Sequence, residues 1–200
     1  MYRGPKEIPA IALTFDDGPS QSTPELLDVL AGYGVPGTFF QCGVNVRRLP
    51  EATRAVAEAG HEIGNHSDSH RSLLFRTKNF MRDELRTAQE SIFEATGHRP
   101  VLFRPPFGHL WFGLGGVERE LGLTGVLWTA IAHDWELSAE AVRSRLGRAA
   151  GNGAIFCLHD GRGLAPNPDI RSTVEALRRL IPELLDQGFQ FETVSQLVRA

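Results

Sequence analysis

The sequence predicts an α/β protein with a parallel sheet. Three observations lead to this fold class. The chain has 200 residues, the length of one ordinary domain. Its 42% hydrophobic and 22% charged residues match the composition of globular proteins and argue against wholesale disorder. Short apolar, β-branched runs alternate with longer helical patterns, and this alternation is typical of parallel sheets covered by helices.

Seven short apolar runs are predicted as strands because glycine and proline bound them. They cover Ala10–Phe15, Gly37–Gln41, His61–Asn65, Val101–Arg104, Gly125–Thr129, Ala154–Leu158 and Phe189–Thr193. No internal repeat, low-complexity segment or linker divides the chain. Residues 1–200 are therefore expected to form one domain.

Four helices are predicted between these strands. The first begins at Ser22 or Thr23, has Pro24 in its first turn and ends at Gly34. The others carry apolar stripes at helical spacing: Met81–Ile92 before Gly97, Val142–Ala149 after Ser138, and Val174–Leu184, where Pro182 can kink the helix.

Charge and hydropathy exclude several partners. The net charge of −3 gives no basic surplus for binding nucleic-acid phosphates. No apolar run reaches the roughly 18 residues of a membrane helix, so no membrane insertion is expected. The segment Met1–Lys6 lacks the apolar stretch of a signal peptide. The chain as it stands is expected in the cytoplasm, or outside it if a leader is missing. No protein partner is implied.

The two cysteines are predicted to be buried free thiols. Cys42 and Cys157 lie far apart in the sequence and form no CxxC motif. Unpaired cysteines are among the most frequently buried residues.

Polar and titratable side chains follow five of the seven predicted strands. In parallel α/β folds the carboxyl ends of the strands hold the functional groups. Taken singly, each segment also suits a turn or a structural residue. Together they indicate a catalytic site, and they read TFDDGP at 14–19, HEIGNHSDSH at 61–70, RPPFG at 104–108, HDW at 133–135 and LHD at 158–160.

His66 and His70 are predicted metal ligands. They are four residues apart, so one helical turn would place both imidazoles on the same side. Two imidazoles and one carboxylate form a common ligand set for catalytic zinc. Asp16 and Asp17 offer carboxylates at another strand end, and neighbouring side chains of an extended segment point in different directions.

Other strand ends suit proton transfer. Arg104 enters a loop stiffened by two prolines and can fix a carboxylate through a bidentate pair. A histidine at one strand end and an aspartate at a neighbouring one suit a general acid with its orienting carboxylate. The segments at 133–135 and 158–160 each contain one histidine and one aspartate.

The chain resembles the NodB-type polysaccharide deacetylases, the fourth carbohydrate esterase family, in TFDDGP at 14–19, HSDSH at 66–70, RPPFG at 104–108, DW at 134–135 and LHD at 158–160. The resemblance covers about residues 10–198 and includes Arg171–Leu177 and Thr193–Leu197, which are similar to the family's closing helix and strand. It implies a single polysaccharide deacetylase (NodB-homology) domain over residues 1–200. The implied fold is a distorted (β/α) barrel of about seven parallel strands with outer helices.

The resemblance also implies a role for each catalytic residue. Asp16 matches the family's general base, and Arg104 matches the residue that holds this base in place. His159 matches the general acid, and Asp134 matches the residue that tunes it.

The resemblance extends to the metal ligands and the substrate contacts. The backbone N–H of Phe107 matches an oxyanion donor, and Trp135 matches a wall of the acetyl pocket. Cys157 stands where the family usually has leucine, so a roomier pocket is expected. The implied metal ligands are Asp17, His66 and His70. Zn²⁺ is the expected metal, and Co²⁺, Ni²⁺ or Fe²⁺ suit the same ligands.

The function implied is hydrolysis of acetyl groups from an N-acetylated sugar in a glycan such as chitin or peptidoglycan. O-acetyl esterase activity on xylan-like polymers, hydrolysis of a non-sugar amide or imide, and non-catalytic glycan binding stay open. The intact Asp16 and His159 count against the non-catalytic alternative. Trp111 and Phe112 either stack on sugar rings or pack beneath their own loop.

Overall fold

The fold is given by a computed structural model that describes residues 1–199. The strands are β1 (Ala10–Asp16), β2 (Thr38–Gln41), β3 (Glu62–Asn65), β4 (Leu102–Phe103), β5 (Thr124–Gly125), β6 (Ala130–Ile131), β7 (Ala154–His159) and β8 (Gln190–Phe191). The helices are α1 (Thr23–Tyr33), α2 (Gly43–Arg48), α3 (Pro50–Glu58), α4 (Lys78–Thr96), α5 (Leu114–Glu120), α6 (Ala139–Ala149), α7 (Arg171–Asp186) and α8 (Val194–Arg199). One turn of 3₁₀ helix covers Pro106–Gly108.

Seven strands form a parallel sheet in the order β5-β4-β3-β2-β1-β7-β6, and β8 pairs with the start of β1. β5 and β6 therefore lie at opposite edges although only residues 126–129 separate them. This link can span at most about 17 Å, so the sheet must curve until its edges approach each other. The result is a half-barrel surrounded by helices, which confirms the predicted α/β class.

The predicted strand Gly125–Thr129 is wrong. Only Gly125 belongs to a strand, and the residues after it cross the gap between the two edges. The carbonyls of Val126 and Leu127 accept hydrogen bonds from the Arg104 side chain, at 3.3 and 3.1 Å. The Arg104 side chain thus binds backbone carbonyls that a longer β5 strand would use for hydrogen bonds to a neighbouring strand.

The central strands are buried on both faces. On β1, Ile11, Leu13 and Phe15 belong to the outer apolar cluster that includes residues of α1 and α7. Ala10 and Ala12 alternate with them and belong to a smaller apolar cluster. A strand covered on both sides reads as a continuous apolar run, which is why β1 is visible in the sequence.

The predicted helix ends are confirmed where the signal is local. α1 ends at Gly34 and α4 ends at Gly97, both left-handed with φ of 64° and 75°. Ser138 caps α6 by accepting a hydrogen bond from the Ala141 N–H. α7 continues through Pro182.

Other helices differ from the sequence-based expectation. α2, α3 and α5 were not predicted, because they are short and their apolar patterns are weak. Residues 194–197 lie in helix α8 and not in a strand. Both cysteines are free and buried, as predicted. Within residues 1–199, no helix has the length and apolar character needed to cross a membrane.

Gly64 is required by the packing between β2 and β3. It pairs with Phe40, and a Cβ atom at Gly64 would lie 2.5 Å from Phe40 Cδ1. Gly64→Ala is therefore expected to lower the free energy of unfolding by about 1–3 kcal/mol. Chemical denaturation measures this change. Gly32→Ala is the control: it lies on α1 with open space around it and should stabilise by about 0.5–1 kcal/mol. Equal effects of the two substitutions would contradict the argument.

Candidate active site

The predicted site residues gather at the carboxyl ends of β1, β3, β4 and β7. A cavity of about 600 Å³ opens there. Arg104 and Asp134 lie behind it, and each contacts a residue of the cavity wall. The wall consists of Asp16, Asp17, His66, His70, Phe107, Trp128, Ile131, Trp135, Cys157, His159 and Gly161–Gly163.

Asp16 and the buried Arg104 form an ion pair. Arg104 Nη1 donates to Asp16 Oδ1 at 2.7 Å and to the Thr14 hydroxyl at 2.6 Å. The expected bidentate pair is wrong, because Nε and Nη2 donate to the carbonyls of Val126 and Leu127 instead. One oxygen of Asp16 is thereby held, while Oδ2 lies 3.4 Å from the Cys157 sulfur.

Asp17, His66 and His70 form a separate group. Asp17 Oδ1 lies 3.3 Å from His66 Nε2 and 2.9 Å from His70 Nε2. Burial raises the pKa of Asp17, but hydrogen bonds from both imidazoles bring it well below the ordinary value. Asp17 Oδ2 accepts from the Gly163 N–H at 2.6 Å. Asp17 is therefore a fixed carboxylate.

The donor atoms of this group suit a metal ion. They all lie within 4.8 Å of one another. His66 Nδ1 donates to the carbonyl of Arg104 at 2.7 Å, which leaves Nε2 as a ligand atom. Such an outer hydrogen bond fixes the tautomer and the ring orientation of ligating histidines.

The two histidines come together without a helical turn, so that part of the prediction is wrong. Ser67 and His70 have positive φ values of 63° and 53°. The Ser67 N–H donates to Asn65 Oδ1, and Ser69 donates twice to the Glu84 carboxylate of α4. These tertiary contacts, and not an i,i+4 helix spacing, bring the imidazoles to a ring separation of 5.1 Å.

His159 pairs with Asp134. His159 Nδ1 donates to Asp134 Oδ1 at 2.7 Å, and Asp134 Oδ2 accepts from the His159 N–H and the Thr173 hydroxyl. Burial lowers the pKa of His159, but the hydrogen bond and the charge of Asp134 raise it to about 9. The imidazole is therefore protonated at neutral pH, with Nε2 free of the pair.

The remaining titratable residues of these two segments have other partners. His133 contacts Glu136 on the surface, at 2.8 Å. Asp160 is buried and accepts a hydrogen bond from the Thr23 hydroxyl at the start of α1. The alternatives that the sequence left open thus reduce to His159 with Asp134.

Phe107 has a left-handed backbone, with φ of 61°. Among the described residues no acceptor contacts its N–H, and its ring lies edge-on to His70 with centroids 4.8 Å apart. Trp135 is perpendicular to the His159 ring at 5.0 Å. Cys157 is 1% exposed and lines the cavity.

Sequence reasoning missed Trp128, Ile131 and Arg162 as lining residues. Trp128 lies inside the wrongly predicted strand Gly125–Thr129, so the strand-end motifs did not include it. Gly108 gives a structural signal: a Cβ atom there would lie 2.7 Å from the Trp128 ring. The glycine of the RPPFG segment therefore leaves room for this aromatic wall.

The two aromatic residues of the 109–114 loop, which were expected either to stack on sugar rings or to pack beneath the loop, differ in their surroundings. Trp111 packs on a buried apolar cluster and contacts the Phe75 ring, with centroids 4.5 Å apart and a tilt of 58° between the ring planes. Phe112 is 84% exposed.

In parallel α/β barrels the active site lies at the carboxyl ends of the strands, and the carboxylates and imidazoles of this half-barrel gather there, as in an enzyme. Comparison with protein-family models identifies the kind. Residues 3–126 match the model described as polysaccharide deacetylase. The chain therefore belongs to the polysaccharide deacetylase family, as the five motifs predicted.

Curated relatives extend this match along nearly the whole chain. A peptidoglycan-N-acetylglucosamine deacetylase of Bacillus cereus is 36% identical over 199 residues, which cover 98% of this chain and 91% of the relative. A chitooligosaccharide deacetylase of Bradyrhizobium sp. is 34% identical, with 94% and 90% covered. The relatives are named deacetylases, and this chain is an enzyme of that family.

Solved structures agree with the fold. A crystal structure of a peptidoglycan N-acetylglucosamine deacetylase has a TM-score of 0.94 at 29% identity and covers 100% of this chain and 92% of that one. A family 4 acetyl xylan esterase from Clostridium thermocellum, in complex with a cobalt ion, has a TM-score of 0.85 at 32% identity, with 94% and 89% covered.

The His159–Asp134 pair predicts a pH dependence. In metal-free protein, Asp134→Asn should lower the pKa of His159 from about 9, because burial persists while the hydrogen bond and the charge of Asp134, which raise the pKa, are lost. An NMR titration of the imidazole measures this change.

The free energy of unfolding should also depend on pH through the His159–Asp134 pair. A pKa that folding raises contributes stability that is complete below pH 6.5 and is lost as the pH rises through about 9. The unfolding free energies of wild type and Asp134→Asn should therefore differ most below pH 6.5. A difference that grows with pH would contradict this assignment.

Proposed function

We propose that the protein is a metal-dependent deacetylase that removes acetyl groups from N-acetylated sugars of a glycan such as peptidoglycan or chitin. One observation carries the proposal. The Asp16 oxygen that Arg104 does not contact, Nε2 of a charged His159 and the Asp17–His66–His70 group all face one cavity. The names of the relatives support the substrate class.

Asp17, His66 and His70 would hold the metal ion. Two imidazoles and a carboxylate suit Zn²⁺ best and also accept Co²⁺, Ni²⁺ or Fe²⁺. A divalent ion bound there supplies Lewis-acid chemistry, which polarises the acetyl carbonyl and makes water more acidic. The acetyl xylan esterase that contains cobalt supports this assignment.

Asp16 is the proposed general base. Arg104 holds Oδ1, and Oδ2 is left to accept the proton of the attacking water. The pairing is buried, with 0% exposure for the Arg104 side chain and 4% for Asp16. The contact with Arg104 therefore fixes the orientation of the proposed base.

His159 is the proposed general acid. An amine is a poor leaving group unless it receives a proton, and His159 carries one at neutral pH because of Asp134. Its Nε2–H would donate to the departing sugar nitrogen. Since Asp134 holds Nδ1, the ring presents Nε2 to the cavity in a fixed orientation.

Phe107 and the aromatic walls would bind the acetyl group. The Phe107 N–H is a donor for the developing oxyanion, and one such donor contributes about 3–4 kcal/mol in well-studied hydrolases. Trp128, Trp135 and Cys157 form apolar wall for the methyl group. Phe112 and Phe75 are 84% and 81% exposed along the adjoining loops and would stack on neighbouring sugar rings.

Acetate release tests the proposal. We expect release from chitooligosaccharides or peptidoglycan fragments, its loss after treatment with a strong chelator, and recovery with Zn²⁺ or Co²⁺. Acetylated xylan is the comparison substrate, because the motifs and the site do not distinguish amide from ester hydrolysis. Full activity in a verified metal-free sample would refute metal dependence. Release from xylan alone would assign the esterase function instead.

The adjacent aspartates should behave differently when each is replaced by asparagine. Asp17→Asn removes an anionic ligand and should weaken Zn²⁺ binding, with partial recovery of activity at high metal concentration. Asp16→Asn should bind Zn²⁺ nearly normally and stay inactive at any metal level, because no base accepts the proton of water. Isothermal titration with Zn²⁺ and acetate assays measure the two properties. The reverse pattern would exchange the two roles.

A further inference from the structure

Asp16, Cys157 and His159 form a second group of potential ligands in the same cavity. Their donor atoms, a carboxylate oxygen, a sulfur and an imidazole nitrogen, all lie within 4.8 Å of one another. We propose that this group is a second, inhibitory metal site that takes thiophilic divalent ions such as Zn²⁺.

The contacts to Arg104 and Asp134 fix Asp16 and His159 and leave one potential ligand atom of each beside the Cys157 sulfur. Arg104 binds Oδ1 of Asp16, and Asp134 binds Nδ1 of His159. Oδ2 of Asp16 and Nε2 of His159 are the atoms of these two residues that could bind a metal ion. The Cys157 sulfur lies 3.4 Å from Oδ2, close to the separation of two ligands on one zinc ion. Cys157 pairs with Thr14 in the centre of the sheet, so its backbone is fixed.

The chemistry of this group differs from that of the Asp17 group. Sulfur is a soft ligand that favours zinc, whereas the Asp17 group offers only nitrogen and oxygen. Burial raises the pKa of the Cys157 thiol, so the thiol binds as a thiolate only when the ion displaces its proton. His159 must likewise lose its Nε2 proton before this nitrogen can bind the ion, and both protons leave to solvent. A leucine at position 157 would offer no ligand at all.

The Asp17 group should take the first ion, because the second group must release the protons of Cys157 and His159 before it binds one. Repulsion between two divalent ions in one cavity weakens the second binding step further. The inhibition rests on the proposed function, since the second ion would occupy the atoms assigned to the base and the acid. Metal binding itself does not depend on those roles.

Cobalt reports on the sulfur directly. Metal-free protein is titrated with Co²⁺, and a thiolate-to-cobalt charge-transfer band is expected only after the first equivalent. Cys157→Ser and Cys157→Leu should lack the band and bind one equivalent of Zn²⁺, where wild type binds two. Cys42→Ser is the matched control, because Cys42 is the other buried thiol and does not line the cavity.

Zinc inhibition of acetate release supplies the second measurement. Cys157→Ser and Cys157→Leu should need at least about tenfold more Zn²⁺ for half inhibition than wild type, a loss that even outer-shell substitutions cause. Cys42→Ser should match wild type. A single equivalent of bound zinc in wild type, a thiolate band with the first equivalent of cobalt, or unchanged inhibition in both Cys157 variants would each overturn the proposal. If no substrate is hydrolysed, the stoichiometry and the band still decide it.

Discussion

The hydrogen bonds and the ion pair of the buried Arg104 guanidinium are the interactions on which the rest of the structure depends. Its side chain has no exposed surface and lies 4.2 Å from the centre of the Phe40 ring. A buried cation is tolerated only when its donors and its charge are satisfied. Asp16 supplies the charge, and Thr14 and two carbonyls of the barrel gap accept the remaining hydrogen bonds. The same residue thus joins β1 to the segment that bridges the open edges of the sheet. Its own carbonyl orients His66.

Backbone strain accompanies this arrangement. Non-glycine residues with positive φ include Asp17, Ser67, His70, Phe107 and His133. Each such residue costs about 1–3 kcal/mol and persists only where its surroundings hold it. For Asp17 the surroundings include the close backbone of Gly161, where any Cβ would collide with Asp17. With the left-handed backbone at Asp17, the two adjacent carboxylates have different partners: Asp17 contacts His66 and His70, and Asp16 contacts Arg104.

This separation gives two clusters in one cavity with different chemistry. The Asp17 cluster contains only hard and borderline ligands, and its carboxylate stays ionised because two imidazoles contact it. The Asp16 cluster contains an ion pair, a neutral thiol and a charged histidine. Cys157 lies in the cavity wall, and its sulfur lies within 4.8 Å of the donor atoms of the proposed base and acid. Its sulfur is a soft donor atom, unlike the nitrogen and oxygen donors of the Asp17 cluster.

Local signals account for what the sequence by itself determined. The alternation of apolar runs with helical stripes predicted the α/β class, and Gly34, Gly97 and Ser138 predicted helix ends because caps depend on nearby residues. The candidate site residues could be named from their positions after the predicted strands, because parallel strands place their carboxyl ends at one edge of the sheet. Long-range contacts decided the rest. The separation of β5 from β6, the approach of His66 to His70 without a helical turn, and the single-nitrogen contact of Arg104 each depend on partners far along the chain. Trp128 entered the cavity wall only because the barrel gap places it beside Gly108. A sequence pattern indicates which residues can come into contact. Which of their atoms are hydrogen-bonded to other groups is decided only when the sheet curves and brings distant segments together.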